Sequence, residues 1–208
     1  PRAVQEAWRG RPQTVTWQIA EDEAFARPVR RGRTRTDPRT DHAVHVEVFG
    51  LDPGRPYWYR FEALGSRSPA GRAMTAPSPL AAPASLKLAI ASCAAYEAGY
   101  YSAYRHMAAE APDLVLFLGD YIYESSHGDR AATVRSHDPV AEATDLAGYR
   151  ARYSQYKTDP DLQALHAAAP CLMTWDDREV HNDYSGDFDW DPRVTVEAFR
   201  RRRAAAYQ

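Results

Sequence analysis

Two hydrophobic periodicities divide this chain. Up to about residue 75, apolar and polar positions alternate with period two. They do so over Thr14–Ala20, over His42–Phe49 and over the aromatic run Pro56–Glu62. Alternation of this kind predicts half-buried β-strands. Turn signals lie between them at Asp37-Pro38 and Asp52-Pro53-Gly54. Short strands at regular spacing predict an all-β sandwich. Beyond residue 85 the pattern changes. Continuous apolar runs, Leu86–Ala91, Leu114–Leu118 and Cys171–Trp175, alternate with segments of helical period. Buried parallel strands joined by helices read this way, so the second part is expected to be α/β. Helices are expected over Tyr100–Glu110, with Tyr100, Ala103, Tyr104, Met107 and Ala108 on one face, and over Leu146–Lys157. Others are expected from Asp159-Pro160 to just before Pro170 and over Thr195–Tyr207. The stretch 76–84, with prolines at 77, 79 and 83, reads as a stiff linker. The division is therefore 1–75, linker 76–84, and 85–208.

Composition excludes more than it selects. The chain has 208 residues, 44% of them hydrophobic, and 26 basic against 28 acidic side chains. The balance gives no general attraction to nucleic acid, and none is expected as a partner. Arg27, Arg30, Arg31, Arg33, Arg35 and Arg39 are expected on a loop and a solvated strand face. The run Arg200–Arg203 covers every side of a helical turn. No run approaches the roughly 18 apolar residues of a membrane span. Two cysteines, Cys93 and Cys171, set no disulfide framework.

The candidate chemistry lies at the strand ends. Leu114–Leu118 runs into Gly119-Asp120-Tyr121-Ile122-Tyr123, the first α/β strand into Ser92-Cys93, and the third into Asp176-Asp177. Sites in open α/β sheets form at the C-terminal edge of the strands. A carboxylate there can bridge two cations. Tyr123 serves as core, as substrate wall or, as phenolate, as a ligand to a trivalent ion. Cys93 serves as an inert thiol or as a soft ligand. Asp176-Asp177-Arg178-Glu179-Val180-His181-Asn182-Asp183 serves as a solvated acidic loop or as a donor set for hard cations. Arg105 and Arg150 are candidate phosphate binders. No Gly-x-Gly-x-x-Gly turn follows Leu86–Ala91, which counts against a nucleotide-binding domain.

These residues also carry a resemblance. Ala91-Ser92-Cys93 through Tyr104, Pro112 through Glu124, and Thr174-Trp175-Asp176-Asp177 with Glu179-Val180 and Asn182 resemble three motifs of PhoD-type alkaline phosphatases. Gly50-Leu51-Asp52-Pro53-Gly54 with Tyr57, and Ser68–Arg72, resemble the family's fibronectin type III-like lead domain, in which a tyrosine hydroxyl bonds back to backbone at a corner. The resemblance implies a β-sandwich followed by part of a metallophosphoesterase α/β fold. It implies a secreted or cell wall-associated phosphomonoesterase or phosphodiesterase with Fe3+ and Ca2+, exported by the twin-arginine pathway. Cys93, Asp120 and Tyr123 would hold iron. Asp120 would bridge to calcium, with Asn182 and Asp177 as further ligands, and Arg105 would bind substrate. Arg178 stands where the family commonly has His. An arginine cannot deliver a proton, but it can take phosphate as a fork. The chain stops before the family's late Gly-Asp-x-His segment, so the 208-residue piece alone is expected to be inactive. The rival reading is an extracellular docking module whose α/β part has lost activity.

Overall fold

The computed structural model describes residues 10–126 and 133–208. The chain forms two compact units. One runs to Leu86 and takes in Ala167–Pro170, and the other comprises Lys87–His166 and Cys171–Gln208. Residues 75–87 carry neither helix nor strand, and 76–88 are exposed throughout.

In the first unit, β1 (Thr14–Ala20), β2 (Pro28–Arg35), β3 (Pro56–Ala63) and β4 (Ser66–Arg67) order as β2-β1-β3-β4, and β5 (Gly71–Met74) also pairs with β3. All pairings are antiparallel. The arginine-rich segment is the edge strand. Exposed arginines suit that place, because charge discourages edge-to-edge pairing. The expected strand over His42–Phe49 is not formed: residues 43–49 carry no strand assignment. Its alternation survives as burial, with Val44, Val46 and Val48 half-buried and their neighbours exposed. Ladder bonds need a partner backbone, and here the Arg30 side chain donates instead to the carbonyls of Phe49 (3.3 Å) and Gly50 (3.0 Å). The tyrosine corner is present. Tyr57 is 3% exposed, and its hydroxyl accepts from the Asp52 N–H at 3.0 Å.

In the second unit, β6 (Leu88–Ala91), β7 (Leu114–Leu118) and β8 (Cys171–Thr174) form a parallel sheet in the order β6-β7-β8. The connections carry α1 (Ser102–Ala109), then α2 (Leu146–Tyr156) and α3 (Pro160–Ala168). Helix α4 (Val196–Ala206) follows β8. Side-chain caps start three of them. Asp145 accepts from Gly148 N, Asp159 from Asp161 N and Leu162 N, and Thr195 from Ala198 N. The first helix is shorter than expected and its inner face is shifted. Tyr101 and Tyr104 are buried, while Tyr100 lies outside the helix and is exposed. In α2, Tyr149, Arg152 and Tyr156 are the inward positions.

The core between sheet and helices is aromatic. Phe117 on β7 meets Tyr104, Tyr121 and the stacked ring of His166, with centroids 5.2–5.8 Å apart. Val115 and Phe117 are buried, whereas Leu116 is half-buried and Leu118 exposed. The helices therefore cover one face of the sheet, and the strand ends are fixed against that aromatic layer.

Candidate metal centre

The pairing register brings Ala91 level with Phe117, and Leu118 level with Thr174. The three strands thus end side by side, and the residues just past them share one edge. Gly119 makes the first turn there with φ +92°. A side chain at this position would have its Cβ 2.5 Å from the Cβ of Asp176. Glycine is required because the loops after β7 and β8 touch. Cys93 and Asp120 follow in the left-handed region, at φ 55° and 51°. For residues with a Cβ this is a strained conformation that the surroundings must hold in place.

Three sets of hydrogen bonds hold it. The N–H groups of Cys93 and Ala94 donate to the carbonyls of Gly119 (3.3 Å) and Asp120 (2.8 Å), which lace the first loop to the second. The carboxylate of Glu179 accepts from Asp120 N (3.1 Å), Ile122 N (3.4 Å), Asp176 N (2.8 Å) and, closest, Tyr121 N. That side chain joins the second loop to the third, as does the Arg178 N–H on Asp120 Oδ1 (3.4 Å). The 3% exposed Glu179 arrives there on a turn in which Val180 N and His181 N donate to Asp177 O.

The expected ligands Cys93, Asp120 and Tyr123 converge. Tyr123 donates to Asp120 Oδ2 at 3.4 Å. The Cys93 side chain is near enough to Asp120 and Tyr123 to act on the titration of both. Asp120, Asp176 and Asp177 each offer a carboxylate oxygen within 4.8 Å of the others. Burial and then the charge of Asp177 push the Asp120 carboxyl above its usual range. Burial and then Asp120 push the Tyr123 phenol well above its ordinary value. Clustered carboxylates that repel one another, beside a thiol and a phenol, are a donor set that a cation satisfies. The thiol and phenol beside the carboxylates make a mixed soft and hard donor set that could hold metal ions.

The remaining expected residues fall in different places. Arg178 donates its backbone N–H to Asp120 Oδ1 at 3.4 Å, its guanidinium lies 5.0 Å from the Tyr123 ring centroid, and Nη1 reaches Glu124 (3.4 Å) and Ser125 (3.3 Å). Asn182 donates its backbone N–H to Glu124 Oε1 (3.1 Å) and its amide to Asp183 Oδ2 (2.7 Å). The same Asp183 accepts nothing from Asp177; its own N–H donates to Asp177 Oδ2. Arg105 is exposed on α1 and pairs with Asp161 at 3.7 Å. Two residues that organise the site, Glu124 and Glu179, entered the sequence reading only as members of motifs. Their acidic neighbours hide them. No periodicity in so short a turn tells the buried Glu179 from the exposed Asp176.

With this geometry in view, the comparisons with known proteins are direct. The model of the PhoD-like phosphatase family matches residues 88–208, and that of the PhoD-like phosphatase N-terminal domain matches residues 1–77. Alkaline phosphatase D of Bacillus subtilis (strain 168) is 46% identical over 197 residues, which are 93% of this chain and 33% of the relative. A solved structure described as "Structure of PhoD" superposes with a TM-score of 0.90 at 45% identity, covering 95% of this chain and 38% of the other. The chain thus spans about a third of the length of the curated relative.

Proposed function

The chain belongs to the family of PhoD-like phosphatases, and from that we infer that the protein hydrolyses phosphoric esters at a metal centre built on Asp120. The observation that carries this reading is the meeting of Cys93, Asp120 and Tyr123 at the strand ends, beside Asp176 and Asp177. Cys93, Asp120 and Tyr123 would hold Fe3+, and Asp120, Asp177 and Asn182 would hold Ca2+. Bound there, the cations would supply Lewis-acid polarisation of the phosphoryl oxygens.

The protein's own groups do the rest. Asp120 would serve both ions, held in place by the Glu179, Arg178 and Ala94 bonds described above. Arg178 presents its fork to a phosphoryl group; Glu124 and Ser125 hold one of its nitrogens, and the Tyr123 ring lies under it. A guanidinium binds phosphate in a planar, two-pronged manner and stays charged at any working pH. Proton delivery to the leaving group therefore falls to solvent or to another residue. Arg105, exposed on α1 and paired with Asp161 of α3, is the further candidate for binding substrate. The N-terminal unit is read as fibronectin type III-like, on the strength of the Tyr57 corner. Export is inferred from the family resemblance, and no helix among the described residues is long and apolar enough to cross a membrane.

The test is hydrolysis of an aryl phosphate monoester and of a bis-aryl diester, with iron and calcium measured on the same samples. It is run on the 208-residue chain and on one extended to the length of the relatives. The extended chain is expected to hydrolyse at least one of them, and Asp120→Asn to abolish the activity with the fold retained. Activity that survives Asp120→Asn would overturn the assignment.

A further inference from the structure

A second convergence shares Glu124 with the bonds that hold Arg178, and its other members have no part in the proposed reaction. Glu124, Glu142 and His181 each bring a ligand atom to within 4.8 Å of the others. Glu124 is 1% exposed and the His181 side chain 9% exposed. His181 Nε2 lies 3.2 Å from Asp189 Oδ1. In the neutral tautomer that donates from Nε2 to this carboxylate, Nδ1 is left facing the two glutamates.

The distances say what faces them. His181 Nδ1 is 3.4 Å from Glu124 Oε1 and 3.2 Å from Glu142 Oε1, and this buried nitrogen has no hydrogen-bond partner. Donor atoms around a tetrahedral cation with bonds of about 2.0–2.1 Å stand about 3.3 Å apart. Separations of 3.2 and 3.4 Å are those of donor atoms placed around one shared cation. The outer partner is present as well. Asp189 on Nε2 makes the carboxylate–histidine arrangement that orients metal-binding imidazoles. Around this point three carboxylates, Glu124, Glu142 and Asp189, face two guanidiniums, Arg178 on Glu124 and Arg202 on Glu142 (2.6 Å). Glu142, 39% exposed, gives an entry path.

We propose that Glu124, Glu142 and His181 form a second cation site, selective for a divalent ion of the zinc class over calcium because one donor is an imidazole nitrogen. The site ties the loop after β7 to the loop after β8. It holds Glu124, which in turn holds Arg178 and the Asn182 backbone.

The experiment titrates Zn2+ into the metal-free 208-residue chain carrying Cys93→Ser and Asp120→Asn, which together disable the Asp120 centre. One bound Zn2+ is expected by calorimetry, with a shift of the His181 Nδ1 signal in nitrogen NMR while Nε2 keeps its proton. Co2+ in the same site should give visible bands without thiolate charge transfer. Adding His181→Gln or, for a milder change at a half-exposed position, Glu142→Gln should weaken binding at least tenfold. No bound Zn2+ in the doubly substituted chain, or unchanged binding in Glu142→Gln, would overturn the proposal.

Discussion

Glu179 is one carboxylate serving four backbone donors from two loops, and removing half of it has a calculable effect. Oε1 accepts from Tyr121 N and Ile122 N, and Oε2 from Asp120 N and Asp176 N. A Glu179→Gln side chain has one oxygen and can serve one pair. Tyr121 and Ile122 are 4% and 0% exposed, so the oxygen should stay with them. The amide nitrogen is then forced against two N–H groups. Asp176 is exposed and finds water, and Asp120 is half-buried and finds it less easily. An orphaned buried donor costs about 1–3 kcal/mol, so the change should cost about 2 kcal/mol. Glu179→Ala orphans all four donors and should cost roughly 4–6 kcal/mol, a large part of a typical total of about 5–15. In urea the Gln variant should lower the transition midpoint of the second unit by about 1 M. Its amide exchange should quicken first at Asp120 and Asp176 and last at Tyr121 and Ile122. A Gln variant within about 0.5 kcal/mol of the parent, with exchange unchanged at Asp120 and Asp176, would refute the role given to this side chain.

Gly119→Ala should destabilise by about 2 kcal/mol or more, because the new Cβ meets Asp176 at 2.5 Å and the residue sits at φ +92°; urea denaturation reads it, and a neutral result would mean that the two loops separate freely. Burial, with Lys157 adding to it, lowers the His166 imidazole to about 4. Its stability contribution is therefore complete above the unfolded value near 6.5 and is lost as pH falls toward 4, by roughly 3 kcal/mol. His166→Phe should flatten the stability–pH curve of the second unit in that window, and an unchanged slope would count against it. Tyr57→Phe removes the hydroxyl that takes the Asp52 N–H at 3.0 Å and should cost about 1 kcal/mol, seen as a lowered melting temperature of the first unit.

What the sequence made legible follows from which interactions are local. The caps at Asp159 and Thr195 announce their helices because the bonds they make lie within three residues. The strands β6, β7 and β8 are legible as apolar runs because a parallel strand meets its neighbours along its whole length. The Tyr57 corner closes over five residues. The failures are all non-local. Over His42–Phe49 the alternation is real and the burial follows it, yet a strand also needs a second backbone, which the pattern does not contain. Along α1 the choice between Tyr100 and Tyr101 as the inner residue depends on where the 3-10 turn Tyr96–Ala98 sets the chain down. At the site, the residue types at strand ends pointed to Cys93, Asp120 and Tyr123. Glu124, Glu179 and His181 act through partners tens of residues away: Tyr121 N to Glu179 spans 58 positions, and Asn182 N to Glu124 also 58.

That division explains why the centre stands formed around its donors. Cys93 and Asp120 each hold a left-handed backbone that costs of the order of 1–3 kcal/mol for a side-chain-bearing residue. Such a conformation persists only if its surroundings over-determine it. Here they do: Ala94 N on the Asp120 carbonyl, Asp120 N on Glu179, and Arg178 N on the Asp120 carboxylate fix the same residue from three elements. The bonds that oppose the strain come from backbone groups and from Glu179, and the one ligand atom among them is Asp120 Oδ1. Removing the cations should therefore leave the geometry of Cys93 and Asp120 in place, whereas removing Glu179 should release it. The ligands supply the affinity, and the buried glutamate beside them keeps the ligands where a cation can use them.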